Sequence, residues 1–181
     1  MKKVLFTILI LIGFISSQAQ KMPINKETGE IEYQEVVQLK DINKDEVYLN
    51  AKNWMLSTLK SSDNMIQLDD VEKKQLIGSG TMVLKKRSLM TGCLLNFKVI
   101  IKFKEGRYQY TINNFLHFYN QNGVMPLRSN LKQIMTNNWG GKPMKKRKQE
   151  EIRKEVHAKI ETLINSMNIA IAKNNNEKDN W

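Results

Sequence analysis

The chain has 181 residues, 41% hydrophobic and 26% charged, with a formal net charge of +11. That balance suits one globular domain with a real core plus some extension. A single cysteine, Cys93, excludes a disulfide framework within the chain, and one thiol with two histidines does not complete a structural zinc site.

Lys2 and Lys3 precede an apolar run from Val4 to Ile15, broken by Thr7 and Gly13, and Ser17 and Ala19 stand at the −3 and −1 positions before Gln20. This is the layout of a secretory signal peptide spanning residues 1–19, cleaved after Ala19. It predicts export to the periplasm or exterior of a Gram-negative-type bacterium. No later apolar run reaches the roughly 18 residues of a spanning helix, so no transmembrane segment is expected in the mature chain.

Residues 20–29 form a polar arm carrying Pro23 and Gly29. Glu30 to Leu39 reads as a strand with Ile31, Tyr33, Val37 and Leu39 on one face, blurred by Glu35 on that apolar side and by Val36. Asn43 caps a helix, its side chain placed to accept an N–H near Glu46. Val47, Ala51, Trp54, Met55 and Leu59 share one face of that helix. A short strand around Met65, Ile66 and Leu68 leads through the polar turn Asp69–Lys74 to a strand at Gln75–Lys85. Gly78 and Gly80 in that strand permit a bulge or strong curvature.

Leu95, Phe97, Val99, Ile101 and Phe103 alternate with polar residues up to the tight turn Glu105–Gly106. Tyr108, Tyr110, Ile112, Leu116 and Phe118 carry the period of two onward, which makes a hairpin. Residues 30–119 therefore form an α+β core. Residues 120–144 read as an irregular connection with a short helix capped by Ser129, running through Leu131, Ile134 and Met135 to Gly140–Gly141. From residue 145 to 173, Ile152, Val156, Ile160, Leu163, Met167 and Ala170/Ile171 mark a long amphipathic helix; residues 174–181 are a polar tail.

The stretches TGEIEYQEVVQL, KDEVYLNAKNWM and IQLDD followed by LIGSGTMVL resemble the secreted domain-of-unknown-function family 4468 over about residues 28–118. Gly29, Ile31 and Tyr33 with Val36–Val37, the helical Tyr48 and Trp54, and Gly78 with Gly80 carry the likeness. The resemblance implies a fold like the TATA-binding protein: a curved antiparallel sheet of about five strands, a helix after strand 1, and a long C-terminal helix on one face. It implies no activity and no catalytic residues.

Charge is unevenly placed. Gln20–Thr81 holds 8 Lys against 11 acids, net −3, whereas Met82–Trp181 holds 19 Lys and Arg against 7 acids, net +12. Asn96, Lys98, Lys102 and Lys104 fall on the solvent side of their strand beside Arg107 and Gln109, which is the usual place for lysine. The densest basic run is KPMKKRK, with Lys142, Lys145, Lys146, Arg147 and Lys148 as a candidate anion-binding surface. Basic residues at a helix start oppose its dipole, so helix stability does not explain them. For an exported chain the relevant polyanions are lipid headgroups and acidic polysaccharide, and the export signal argues against nucleic acid.

Cys93 reads as a small hydrophobe in an apolar strand, and His117 and His157 as packing or surface residues. Asp69, Asp70 and Glu72 lack the alternating ligands and glycine of a calcium loop. No nucleophile elbow, phosphate loop or S-x-x-K motif occurs, so no catalytic residue, metal or cofactor is assigned. The sequence points to an exported, non-catalytic binding module of the cell envelope with an unknown protein or envelope-surface partner. The alternative is a surface-associating protein whose basic C-terminal half engages anionic lipid or polysaccharide; an enzyme with an unrecognised site ranks last.

Overall fold

The protein's structure, a computed structural model, describes residues 22–39, 43–59, 65–84, 93–121, 124–131 and 145–173. Its elements run β1 (Tyr33–Gln38), α1 (Lys44–Thr58), β2 (Ile66–Asp70), β3 (Gln75–Leu84), β4 (Cys93–Lys104), β5 (Arg107–Gln121), β6 (Val124–Asn130) and α2 (Lys146–Ile171). The antiparallel sheet has the order β1-β5-β4-β3-β2, with β6 a sixth strand paired to β5. β4 lines one edge of β5 from Arg107 to Tyr119, so β1 and β6 lie end to end along the other.

Alternation puts Tyr33, Leu76, Val99, Ile101, Phe103, Tyr108, Tyr110 and Ile112 on one sheet face, where all are buried. Both helices cover that face. α1 buries Val47, Ala51, Trp54 and Met55, and α2 buries Val156, Ile160, Ile164, Met167 and Ile171. Ile164 replaces Leu163 in the deepest row, because a helix 3.6 residues per turn drifts past the strict pattern of 4, 4, 3. Trp54 joins the helices by donating its indole N–H to Ser166 Oγ at 3.1 Å. The Asn43 cap forms, with its side chain accepting from the Asp45 N–H at 2.7 Å rather than from Glu46.

Three local features depart from the sequence pattern. In β5, Asn96 faces Leu116 and Lys98 faces Asn113, so residues 114 and 115 together oppose Phe97. Asn114 adopts a φ of 52° at this bulge. The extra residue inverts the alternation beyond Ile112, and Phe115, not Leu116, enters the core. The glycines of β3 face inward beneath α1: a Cβ on Gly78 would lie 2.7 Å from the Met65 carbonyl, and one on Gly80 would lie 2.5 Å from Phe97 Cζ. They provide space for close packing, and the bulge lies in β2, between Ile66 opposite Gly78 and Leu68 opposite Ile77.

The third departure is β6. Residues 124–130, expected to be irregular, form a strand in which Ser129 pairs with His117, and Leu131 directly after it is helical. The reason is the free half of β5 past the end of β1, which needs a partner for its main chain. Pro126 is tolerated at such an outer strand. Leu131 is buried after β6; Ile134, Met135, Gly140 and Gly141 of the expected short helix lie outside the described residues, as do residues 1–21 and 174–181.

Candidate functional site

The opposite sheet face carries no helix among the described residues. One row crosses all five strands of the main path, through Gln34, Thr111, Ile100, Ile77 and Leu68. The next row is Val36, Gln109, Lys102, Gln75 and Asp70. Val36 is 47% exposed and Leu68 41% exposed, so apolar groups stand open to water between polar ones.

The β4–β5 hairpin supplies the charge. Its strands keep Lys98, Lys102 and Lys104 in the outward register, and the two-residue connection Glu105–Gly106 returns Arg107 directly opposite Lys104. Gly106 has a φ of 66°, the left-handed backbone that glycine adopts without cost. Lys102, Lys104 and Arg107 surround a depression of about 460 Å³ with Val36 and Gln109. Among the described residues, none of these cations makes an ion pair. Asn96 is engaged, accepting from Thr81 Oγ1 at 2.9 Å. The sequence-predicted strand face is therefore assembled as one surface.

Lys145, Lys146, Arg147 and Lys148 stand on a different element, exposed at the start of α2. Arg147 makes a long contact of 3.9 Å to Glu151. Lys142 lies outside the described residues. The helix carries no acidic residue in its first turn and no side-chain cap, so this end is dominated by positive charge.

The polar groups with perturbed titration serve packing. Tyr33 hydroxyl lies 3.0 Å from His157 Nδ1, with the rings stacked at 5.8 Å. Tyr108 donates to Asn168 at 2.7 Å and Tyr110 to Glu35 at 2.8 Å. Burial pushes the Tyr33, Tyr108 and Tyr110 phenols well above their ordinary value, with nearby Glu35 or Glu161 adding to it. Tyr48 is raised for the same reason, then by its hydrogen bond to Asp69. Asp69 is held below the usual carboxylate range by Lys52 at 2.6 Å and by Tyr48. Asp70 is held low first by the Lys73 N–H at 2.8 Å. Asp69 thus fastens α1, and Asp70 the turn. Cys93 and His117 sit on β4 and β5, with side chains outside the described set.

One feature escaped the sequence reading. The arm, β1 and α2 enclose a cleft of about 650 Å³ that includes Glu27, Glu32, Glu35 and Glu161 in its lining. Glu32 accepts side-chain amides from Asn25 at 2.8 Å and Asn113 at 2.9 Å. The signal was Glu35: a carboxylate on the apolar side of a strand marks the place where that side stops being core.

Residues 33–118 match the family model described as a domain of unknown function (DUF4468) with TBP-like fold. A search of curated proteins finds no match. A crystal structure of a TBP-like protein from Parabacteroides distasonis ATCC 8503 is similar with a TM-score of 0.65 and 14% identity, covering 83% of this chain and 96% of that one. A DUF4468 family protein from Bacteroides ovatus ATCC 8483 is similar with a TM-score of 0.62 and 15% identity, covering 88% of this chain and 94% of that one. At such identities the likeness concerns the fold.

Proposed function

We propose, for a chain whose residues 33–118 match the DUF4468 model with TBP-like fold, that it is an exported, non-catalytic binding module of the cell envelope. Its outer sheet face engages an anionic envelope surface or partner. The observation that carries this reading is the uncovered face itself: Lys98, Lys102, Lys104 and Arg107 stand without ion-pair partners among the described residues, beside exposed Val36. Unneutralised cations beside open apolar groups suit a partner that is both charged and partly apolar. Fold likeness alone brings no DNA-binding activity with it, and export over residues 1–19 would keep the chain from chromosomal DNA.

The test uses purified protein with polygalacturonate and with phosphatidylglycerol vesicles. Binding should weaken as salt rises, because the Debye length shrinks from about 10 Å at 0.1 M to about 3 Å at 1 M. Replacing Lys98, Lys102, Lys104 and Arg107 with Gln should abolish it. Absent or salt-insensitive binding ends the idea. N-terminal sequencing of protein recovered from the periplasm or medium should begin at Gln20; an intact Met1 in the cytoplasm would remove the export half.

A second reading places the contact at Lys145–Lys148, and the exposure of all four supports it. Each cation near an anionic surface contributes about 1 kcal/mol. Gln at those four positions, with the sheet face intact, separates the two readings in the same vesicle titration.

A further inference from the structure

The cleft between the arm, β1 and α2 has chemistry opposite to the rest of this basic chain. The arm folds back on the strand leading into β1: Glu32 N–H donates to the Pro23 carbonyl at 3.1 Å and Asn25 N–H to the Glu30 carbonyl at 2.9 Å. Ile24 pairs with Ile31, the last such pair of the arm among the described residues. Among the described residues β1 has only β5 as its neighbour, so the outer edge of Tyr33–Gln38 has no strand beside it. Gln34, Glu35, Val36 and Gln38 are exposed along it. An open edge presents a ladder of main-chain donors and acceptors to any extended segment.

The walls add selectivity. Glu27 from the arm, Glu32 and Glu35 from the β1 segment and Glu161 from α2 line the cleft, against Lys26 as its one lining cation. Two of these carboxylates are already positioned. Glu32 is held by Asn25 and Asn113, and Glu35 by the Tyr110 hydroxyl. Each retains free acceptor sites, and a side chain fixed beforehand loses little freedom on binding. Among the described residues no three acidic, histidine or cysteine side chains gather closely enough to hold one metal ion. The negative charge is spread along a groove, which matches a row of cations better than a single ion.

We propose that this groove binds an extended peptide segment bearing Lys or Arg, added to the edge of β1 as a further strand. Its alternate side chains point toward α2 and pair with Glu35 and Glu161, while its main chain completes the β1 ladder. This site is distinct from the outer sheet face and stands or falls without it.

The probe is a capped heptapeptide of alternating lysine and valine, titrated against the purified protein by fluorescence polarisation and by backbone amide NMR. Shifts should appear at Gln34, Glu35, Val36 and Gln38, and affinity should fall at least about tenfold for E35Q/E161Q, a change of about 1.4 kcal/mol. Methylating alternate main-chain nitrogens of the peptide should weaken it by a similar factor. Glu27→Gln, on the exposed arm, gives a smaller loss and guards against a fold defect in the double variant. The proposal is overturned by no binding, by equal binding of the N-methylated peptide, or by equal displacement with spermidine. It is also overturned by shifts confined to Lys98, Lys102 and Lys104, or by a sedimenting dimer that the peptide does not dissolve, which would mean a second copy fills the groove.

Discussion

Asn50 on α1 donates its side-chain amide to the main-chain carbonyl of Lys173 at 2.8 Å, with a longer contact to the Ile171 carbonyl at 3.4 Å. One helix thereby caps the other across 123 residues. The last carbonyls of a helix lack internal partners, and Asn50, only 7% exposed, serves that of Ile171 and that of Lys173 just past the helix end. Asn50→Ala should cost about 1–3 kcal/mol, the penalty for orphaned buried polar groups. Asn50→Asp should be worse at neutral pH, since an ionised carboxylate only accepts. Burial and the facing carbonyls raise its folded pKa, so that variant is most stable below pH ~4 and loses stability as pH rises. A denaturant midpoint that is flat from pH 4 to 7 for Asn50→Asp would contradict this.

Gly78 and Gly80 should resist substitution unequally. The Cβ of Gly78→Ala meets a backbone oxygen, Met65 O, at 2.7 Å. The Cβ of Gly80→Ala meets the Phe97 ring and Leu59 Cδ2 at 3.0 Å, both side chains. Each change should destabilise by about 1–3 kcal/mol. Adding Phe97→Leu should recover part of the Gly80→Ala loss and none of the Gly78→Ala loss. Equal recovery of both in thermal melts would be incompatible with these contacts.

Asn114 holds a left-handed backbone at the β5 bulge. Asn114→Gly should be neutral within about 0.5 kcal/mol, while Asn114→Val should cost about 1–2 kcal/mol, because a β-branched side chain collides with its own carbonyl in that region. If Asn114→Val melts with the parent, the bulge lies elsewhere and Phe115 is not locked into the core.

Four of the five tyrosines are raised above the ordinary phenol value. Folding therefore favours their neutral form. That stability is complete below the unfolded phenol pKa of about 10 and is lost as pH rises above it, because the unfolded chain releases protons first. In a spectrophotometric titration, Tyr33, Tyr48, Tyr108 and Tyr110 should ionise together with unfolding, not as independent groups near pH 10. Four free phenol titrations in folded protein would refute the burial described for them.

The sequence was legible where one periodicity governed a whole element. The β4 alternation from Leu95 to Phe103, the Glu105–Gly106 turn and the α2 stripe were all readable because burial repeats with the local geometry. It was less legible where the phase changes. Asn114 is an ordinary polar residue in a strand, and nothing local announces that it shifts Phe115 inward. β6 did leave a sign: Asn-Gly, here at positions 122 and 123, is a strong hairpin signal in any sequence, and Gln121 before it pairs with Val124 after it. Pro126 obscured it. The cleft was hidden for another reason, since Glu27, Glu35 and Glu161 meet only through tertiary packing and show no common spacing.

The sharing of β5 by two strands fixes an order of events in time. Tyr33 faces Ile112 and Gln38 faces Arg107, so a growing chain offers β1 no neighbour until the β4–β5 hairpin has been made. The β3–β4–β5 meander needs only short loops and can form early, whereas β1 must wait and then close a loop of tens of residues. Until then Tyr33 and Val37 lack Ile112 and Tyr108, the residues they face in the sheet. Synthesis thus delivers this protein's first strand almost last to its fold.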